Sequence, residues 1–274
     1  MLREGIFITG TDTGVGKTQV TAGLAALLQR LGEQGAAQRE AAQGEAAHSE
    51  AYVRLWKPVQ SGAALGLPTA DSYRLLHGSG LAMREADIAS HTFAAPVAPW
   101  LAARAAGAPL QFRDLVADGK RRLQQSGCLL VEGAGGLLVP LAEGKRMADL
   151  AAELSLPLLI IARTGLGTVN HTLLTVAYAR QAGLEVLGVI LNDSQSGSFE
   201  LSRLPEAVQM AKDNAQMIEQ FGDVPVLGIL PWMAEDEHAD AAGWAAWREQ
   251  WTAEIESSVH LNVFYDLKNR RQRQ

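Results

Sequence analysis

Cysteine is nearly missing from this 274-residue chain: only Cys128 is present, so no internal disulfide can form. It opens an apolar, strand-like run, where a buried and unreactive thiol is expected. Long hydrophobic runs are missing too, none approaching the roughly 18 residues of a membrane span. The first strand pattern begins within about five residues of Met1, so no signal peptide is expected. Positive charge is not in surplus, since 24 Lys and Arg against 30 Asp and Glu give a net charge of -6. Nothing in that balance supports a nucleic-acid surface. With 20% charged and 47% hydrophobic residues, the composition is neither disordered nor membrane-like. The expectation is a soluble, cytoplasmic protein without nucleic-acid or membrane partners, of ordinary length for one α/β domain.

What is present is an alternation of short apolar runs and helical patterns, the signature of a doubly wound, mostly parallel sheet flanked by helices. Strands are expected over 5–9, 53–57, 128–132, 157–162, 186–192 and 226–230. Helical spacing runs through 18–31, 112–125, 147–154, 168–181 and 205–221. Gly32 reads as the stop of the first helix. Residues 32–52, rich in Ala, Gln, Glu and Gly, read as a solvated insertion, flexible or partly helical. The core domain is expected over 1–233. Beyond it, 234–274 forms an extension with Trp244, Trp247 and Trp251 at helical spacing and a basic tail from Lys268 to Gln274. Such a stripe packs onto the body more often than it binds a partner. There is no internal repeat.

The most informative segment runs from Gly5 to Thr18. An apolar strand breaks into a glycine-rich turn ending in Gly16-Lys17-Thr18, which opens a helix. Backbone N–H groups of such a turn cradle phosphates, the lysine adds charge and the Thr18 hydroxyl can ligate Mg²⁺, making the fold P-loop NTPase-like. The loop is a variant, with Thr11 where the common pattern has glycine and Gly10 one step early. In a doubly wound sheet, functional groups gather at the carboxyl ends of strands. One strand end delivers Glu132 followed by Gly133-Ala134-Gly135-Gly136, an acid suited to a second Mg²⁺ contact beside glycines that admit a ligand. Another, ending at Trp56, delivers Lys57-Pro58-Val59-Gln60-Ser61-Gly62, a group suited to anions. Asp71 opens the next helical stretch, where it also fits a capping role.

Together these segments resemble dethiobiotin synthetases. The resemblance rests on GTDTGVGKT (10–18), KPVQSG (57–62), Asp71, VEGAGG (131–136), GLGTVNH (165–171), Asn192-Asp193 and Pro231-Trp232, in the family's order over about 5–233. It also accounts for the variant loop. The family's reaction is an ATP-dependent ring closure in biotin synthesis. CO₂ adds to one amine of 7,8-diaminononanoate, ATP phosphorylates the carbamate, and the second amine closes the ureido ring.

By resemblance, Lys17 and Lys57 bracket the carbamate and the transferring phosphate, with Thr13 alongside, and Ser61 contacts the substrate. Mg²⁺ falls to Thr18, Asp71 and Glu132. ATP contacts are implied at Gly14, Val15, Gly16, Lys17, Thr18, Asp71, Glu132, Gly133, Ala134 and Gly135. The adenine end falls to Asn192, Asp193, Pro231, Trp232 and Met233. Family members are homodimers with the substrate site at the subunit interface. The substrate carboxylate then meets a helix start, here Leu166, Gly167, Thr168, Val169 and Asn170.

The chain departs from the compact family pattern in the 32–52 insertion, the extension past Trp232 and a short spacing from Lys57 to Asp71. Two other readings compete. An amide-forming enzyme of the cobyrinic acid amidation type would carry a glutaminase part with a nucleophilic cysteine, and Cys128 sits inside a strand pattern instead. A partitioning-type ATPase switch would place a lysine five residues before the P-loop lysine, where this chain has Asp12.

Overall fold

The apolar runs become a seven-stranded sheet in the computed structural model, which describes residues 4–43, 52–235 and 239–265. Its first half comprises β1 (Gly5–Gly10), α1 (Lys17–Gln43), β2 (Val53–Ser61), α2 (Asp71–Ser79), α3 (Glu85–Ile88), β3 (Ala89–Phe93), α4 (Pro99–Ala105), α5 (Phe112–Leu123) and β4 (Cys128–Gly136). There follow β5 (Pro140–Ala142), β6 (Lys145–Arg146), α6 (Met147–Glu153), β7 (Leu158–Arg163), α7 (Thr168–Gln181) and β8 (Val186–Asn192). The chain continues through α8 (Phe199–Ser202), α9 (Pro205–Gly222), β9 (Val226–Leu230), α10 (Ala241–Ser258) and α11 (Asn262–Tyr265).

The sheet order is β3-β2-β4-β1-β7-β8-β9. All neighbouring strands in it are parallel, and β5 and β6 form a separate small hairpin. Both faces of the sheet are covered, so its central strands are apolar throughout. Ile6 and Ile8 of β1 pack with Leu24, Leu27 and Leu28 of α1 on one face, while Phe7 packs with Trp56 and Val131 on the other. The strand β1 lies between β4 and β7, and the glycine turn leaves its carboxyl end there.

The structure corrects four expectations. Gly32 does not stop the first helix, which continues to Gln43. A Cβ at Gly32 would lie 2.4 Å from Cγ of Tyr52, so the glycine admits that ring. The Ala-, Gln- and Glu-rich residues beyond it are good helix formers, which carries the helix on. The remainder of the expected insertion, 44–51, and the basic tail lie outside the described residues. Second, β2 does not end at Lys57 but at Ser61, and β4 runs to Gly136, so Lys57 and Glu132 lie within strands. Third, β3 was not expected: Ala89-Ser90-His91-Thr92-Phe93 has a polar middle, tolerable because β3 is an edge strand. Fourth, α4, α8 and α11 and the β5–β6 hairpin are too short to leave a periodic signal.

The tryptophan stripe packs on the body. Trp251 is fully buried and joins the cluster of α1 residues that includes Leu24 and Leu28. After α10 the chain returns to the sheet, where His260 N donates to the Leu227 carbonyl at 2.7 Å. Among the described residues no helix is long and apolar enough to cross a membrane.

Candidate active site

The site begins where the sheet opens. β2 pairs with β4 from Val53 to Trp56, then switches to β3 from Lys57 onward. Pro58, which has no N–H to give, sits just after that switch. The last paired residues across β2 and β4 are Trp56 and Val131, and the next residue on each strand is Lys57 and Glu132. Their side chains meet in the opening: Lys57 Nζ lies 2.6 Å from Glu132 Oε1.

The helix α2 supplies the third charge. Its Ser72 N–H is capped at 2.9 Å by Oε1 of Gln60, which belongs to β2 itself. That cap fixes the start of α2 beside Lys57 and brings Asp71 Oδ2 to 2.7 Å from Lys57 Nζ. Thr18 Oγ1, in the first turn of α1, donates to Glu132 Oε1 at 2.9 Å and to Asp71 Oδ1 at 3.2 Å. Hydroxyl, two carboxylates and ammonium therefore share one small volume.

The glycine turn closes over this group. Gly16 has φ +84°, and a Cβ there would sit 2.1 Å from Nδ2 of Asn192. Only glycine fits, because the same amide donates to the Val15 carbonyl at 3.1 Å and holds the turn from behind. Lys17 Nζ donates to the Asp12 carbonyl at 3.0 Å, inside the turn. Asp12 is fixed in its turn by Arg163 Nη2 at 2.7 Å.

The charges shape one another. Burial opposes the charge on Lys57, but the Asp71 and Glu132 carboxylates outweigh it and hold the ammonium above the usual lysine range. Burial pushes the half-buried Asp71 carboxyl up, yet Lys57 overrides this and holds it below the usual range. Lys17 goes the other way: burial, reinforced by the Lys57 charge, pushes it down to about 8 despite the nearby carboxylates.

A cavity of about 780 Å³ opens over these residues. Thr13, Gly14, Gly16, Lys17 and Thr18 line one side, and Lys57, Ser61, Asp71, Glu132, Ala134 and Gly135 another. Asp193, Trp232 and Met233 wall the far end. The family model described as an AAA domain matches residues 4–238. The ATP-dependent dethiobiotin synthetase BioD of Bacillus thuringiensis (strain Al Hakam) is 40% identical over 228 residues, 83% of each chain. The protein of the same name from Bacillus cereus (strain B4264) is 39% identical over 231 residues, 84% of each chain. The chain belongs to the dethiobiotin synthetase family. It is an enzyme, an ATP-dependent ligase. Among solved structures, the ParA family ATPase of Chlorobium tepidum TLS is 9% identical with a TM-score of 0.48, covering 93% of each chain.

The cavity gathers most of the residues the motifs point to. The spacing from Lys57 to Asp71 brings the two side chains into contact. Ser61 lines the cavity with its hydroxyl donated to the Val97 carbonyl at 2.7 Å. Asn192 does not line it: the residue is fully buried behind the turn, with Oδ1 lacking a partner. Pro231 lines a smaller cavity on the other side of Asp193, of about 200 Å³. Leu166 is 94% exposed at the start of α7, away from the main cavity, and Gly167 there takes the left-handed conformation at φ 87°.

The site also uses residues that motif reading missed. Gln60 caps α2, Arg74 and Gln19 line the cavity, and Glu235 pairs with Arg74. Arg74 follows Asp71 by three on one helix, a spacing that puts both on one face. Gln19 and Glu235 carry no such signal.

The donors suit Mg²⁺. Thr18, Asp71 and Glu132 offer only oxygens, and Glu132 Oε2 is buried without a hydrogen-bond partner. Among the described residues no group of three or more His, Cys, Asp or Glu forms a metal site. Mg²⁺ needs fewer, because phosphates and water complete its octahedron.

Proposed function

We propose that the chain catalyses the Mg-ATP-dependent carboxylation and ring closure of 7,8-diaminononanoate to dethiobiotin. The observation that carries this reading is one cavity holding two lysines, Lys17 and Lys57, over an all-oxygen cluster of Thr18, Asp71 and Glu132. The names of the curated relatives support the same product.

Both reacting partners, carbamate and triphosphate, are anions, so the chief task is positioning and neutralising charge. The N–H groups around Gly14, Val15 and Gly16, with Lys17 and the first turn of α1, hold the phosphates, and Thr13 donates beside them. CO₂ adds to one amine of the substrate, which loses a proton and becomes a carbamate. Lys57 pairs with that carbamate and Ser61 contacts the substrate near it. A carbamate oxygen takes the γ-phosphoryl group, releasing ADP. The second amine then attacks the carbonyl carbon, expelling phosphate and a proton and closing the ring.

Thr18, Asp71 and Glu132 hold Mg²⁺, which neutralises phosphate charge when bound. Ala134 and Gly135 line the cavity and let the chain approach the ligand closely, whereas Gly133, expected at the nucleotide, is buried and makes room for the Phe7 ring instead. Asp193, Trp232 and Met233, which line the cavity, flank the adenine beside Pro231, while Asn192 supports the turn from behind. The working form is a homodimer, in which the first turn of a partner's α7, at Leu166, Gly167, Thr168, Val169 and Asn170, takes the substrate carboxylate. The exposure of Leu166 (94%) and Leu174 (62%) supports a covered face there. The compartment is the cytoplasm.

The test is ADP release from Mg-ATP and bicarbonate, with and without the diamine, on protein whose mass in solution is measured by light scattering. Diamine-dependent release from a dimer supports the reading. Release that ignores the diamine, or full activity in a monomer, refutes the reaction or the shared site respectively.

A further inference from the structure

The loop that follows β9 walls the far end of the cavity through Trp232, Met233 and Glu235. Side chains from two other elements hold it. Gln19 Nε2 donates to the Met233 carbonyl at 2.8 Å, and Arg74 of α2 forms an ion pair with Glu235. The Glu235 carboxylate lies beside Gln19. Gln19 stands two residues after the P-loop lysine, is 8% exposed and lines the same cavity. One side chain therefore ties the phosphate end of the site to its far wall.

Gln19 is itself held from the other side. Its backbone carbonyl accepts from Trp251 Nε1 of α10 at 3.0 Å. One turn along α1, a Cβ at Gly23 would meet the Trp251 ring at 2.4 Å, so the indole lies directly against the helix. The helix α10 begins after the residues that the AAA family model matches, 4–238.

We propose that Gln19 is a positioning residue for the nucleotide, fixing the Met233–Glu235 wall to the P-loop helix while α10 fixes Gln19 through Trp251. This rests on the cavity being the ATP site, and does not depend on the identity of the amine substrate. Without the Gln19 donor, the buried Met233 carbonyl loses its partner and the wall must be ordered when nucleotide binds. A lost hydrogen bond of this kind corresponds to a drop in nucleotide affinity of about tenfold.

The experiment measures the dissociation constant of Mg-ATP alone, by calorimetry on the full chain, for wild type, Gln19→Met, Gln19→Glu and Trp251→Phe. Gln19→Met should weaken Mg-ATP about tenfold. Gln19→Glu should weaken it further, because a carboxylate cannot donate to Met233 and sits against Glu235. Trp251→Phe keeps a ring against Gly23 but loses the N–H, and should weaken binding by about threefold. Thermal midpoints should stay within about 2 °C of wild type for both Gln19 variants. The KM for the diamine should not move.

Unchanged Mg-ATP affinity in Gln19→Met overturns the proposal. So does a parallel loss of nucleotide affinity, diamine affinity and thermal midpoint, which would make Gln19 merely structural. Because the binding measurement needs no turnover, failure of the diamine reaction would leave this result intact.

Discussion

Lys57 Nζ lies 2.6 Å from Glu132 Oε1, with the two side chains 2% and 0% exposed. The pair closes the gap left where β2 leaves β4, and Asp71 joins it at 2.7 Å. Lys57 thereby neutralises the carboxylates that suit Mg²⁺. If these three residues serve stability, metal affinity and catalysis as proposed, the three roles can be separated by substitution.

Lys57→Met should lower turnover on the order of 10³-fold while leaving Mg-ATP affinity within about threefold. It also leaves Glu132 buried without its cation, at a cost of about 3 kcal/mol in stability. A cation that binds only the folded chain restores stability by linkage. Millimolar Mg²⁺ should therefore raise the thermal midpoint of the variant more than that of wild type. Equal loss of turnover and nucleotide binding would remove Lys57 from its assigned role. An unchanged response to Mg²⁺ would mean that the carboxylates do not take the metal.

Gly16→Ala should abolish Mg-ATP binding. At φ +84° an alanine is strained, and its Cβ would sit 2.1 Å from the Asn192 amide that supports the turn. The stability cost is about 2 kcal/mol, read by urea unfolding. Retained nucleotide affinity would show that the turn is not the phosphate cradle.

Lys17 gives the pH dependence. Burial, with Lys57 nearby, lowers its pKa to about 8, so the free chain loses this charge as pH rises through that value. A bound triphosphate favours the protonated ammonium and raises the pKa. Binding at pH 8.5 should therefore take up protons, and affinity should fall as pH rises above 8. Calorimetry in two buffers of different ionisation enthalpy reads the uptake directly. Proton release, or affinity flat from pH 7.5 to 9.5, would contradict the assignment.

The fold was legible wherever burial leaves a pattern. The apolar runs of β1, β4, β7, β8 and β9 read as strands because both faces of the sheet are covered, and the cradle read as one because its glycines and Lys17-Thr18 are local. Polarity hid β3, an edge strand, and packing hid the role of Gly32, whose missing side chain admits Tyr52 rather than ending a helix. The candidate site showed in the sequence as single residues but not as an arrangement. Lys57, Asp71 and Glu132 lie on separate elements, and only the switch of β2 from β4 to β3 brings them together. The bonds of Gln19 to Met233 and of Trp251 to Gln19 join a side chain to a distant carbonyl, which no periodicity marks.

The most direct test follows isotopes. The enzyme is given Mg-ATP, the diamine and bicarbonate labelled with ¹³C and ¹⁸O, and both products are weighed by mass spectrometry. Dethiobiotin carrying ¹³C in its ureido carbonyl, with ¹⁸O passed to the released phosphate, is the predicted result, since a carbamate oxygen accepts the phosphoryl group and leaves with it. Phosphate free of ¹⁸O, or ADP formed without labelled dethiobiotin, would contradict the account.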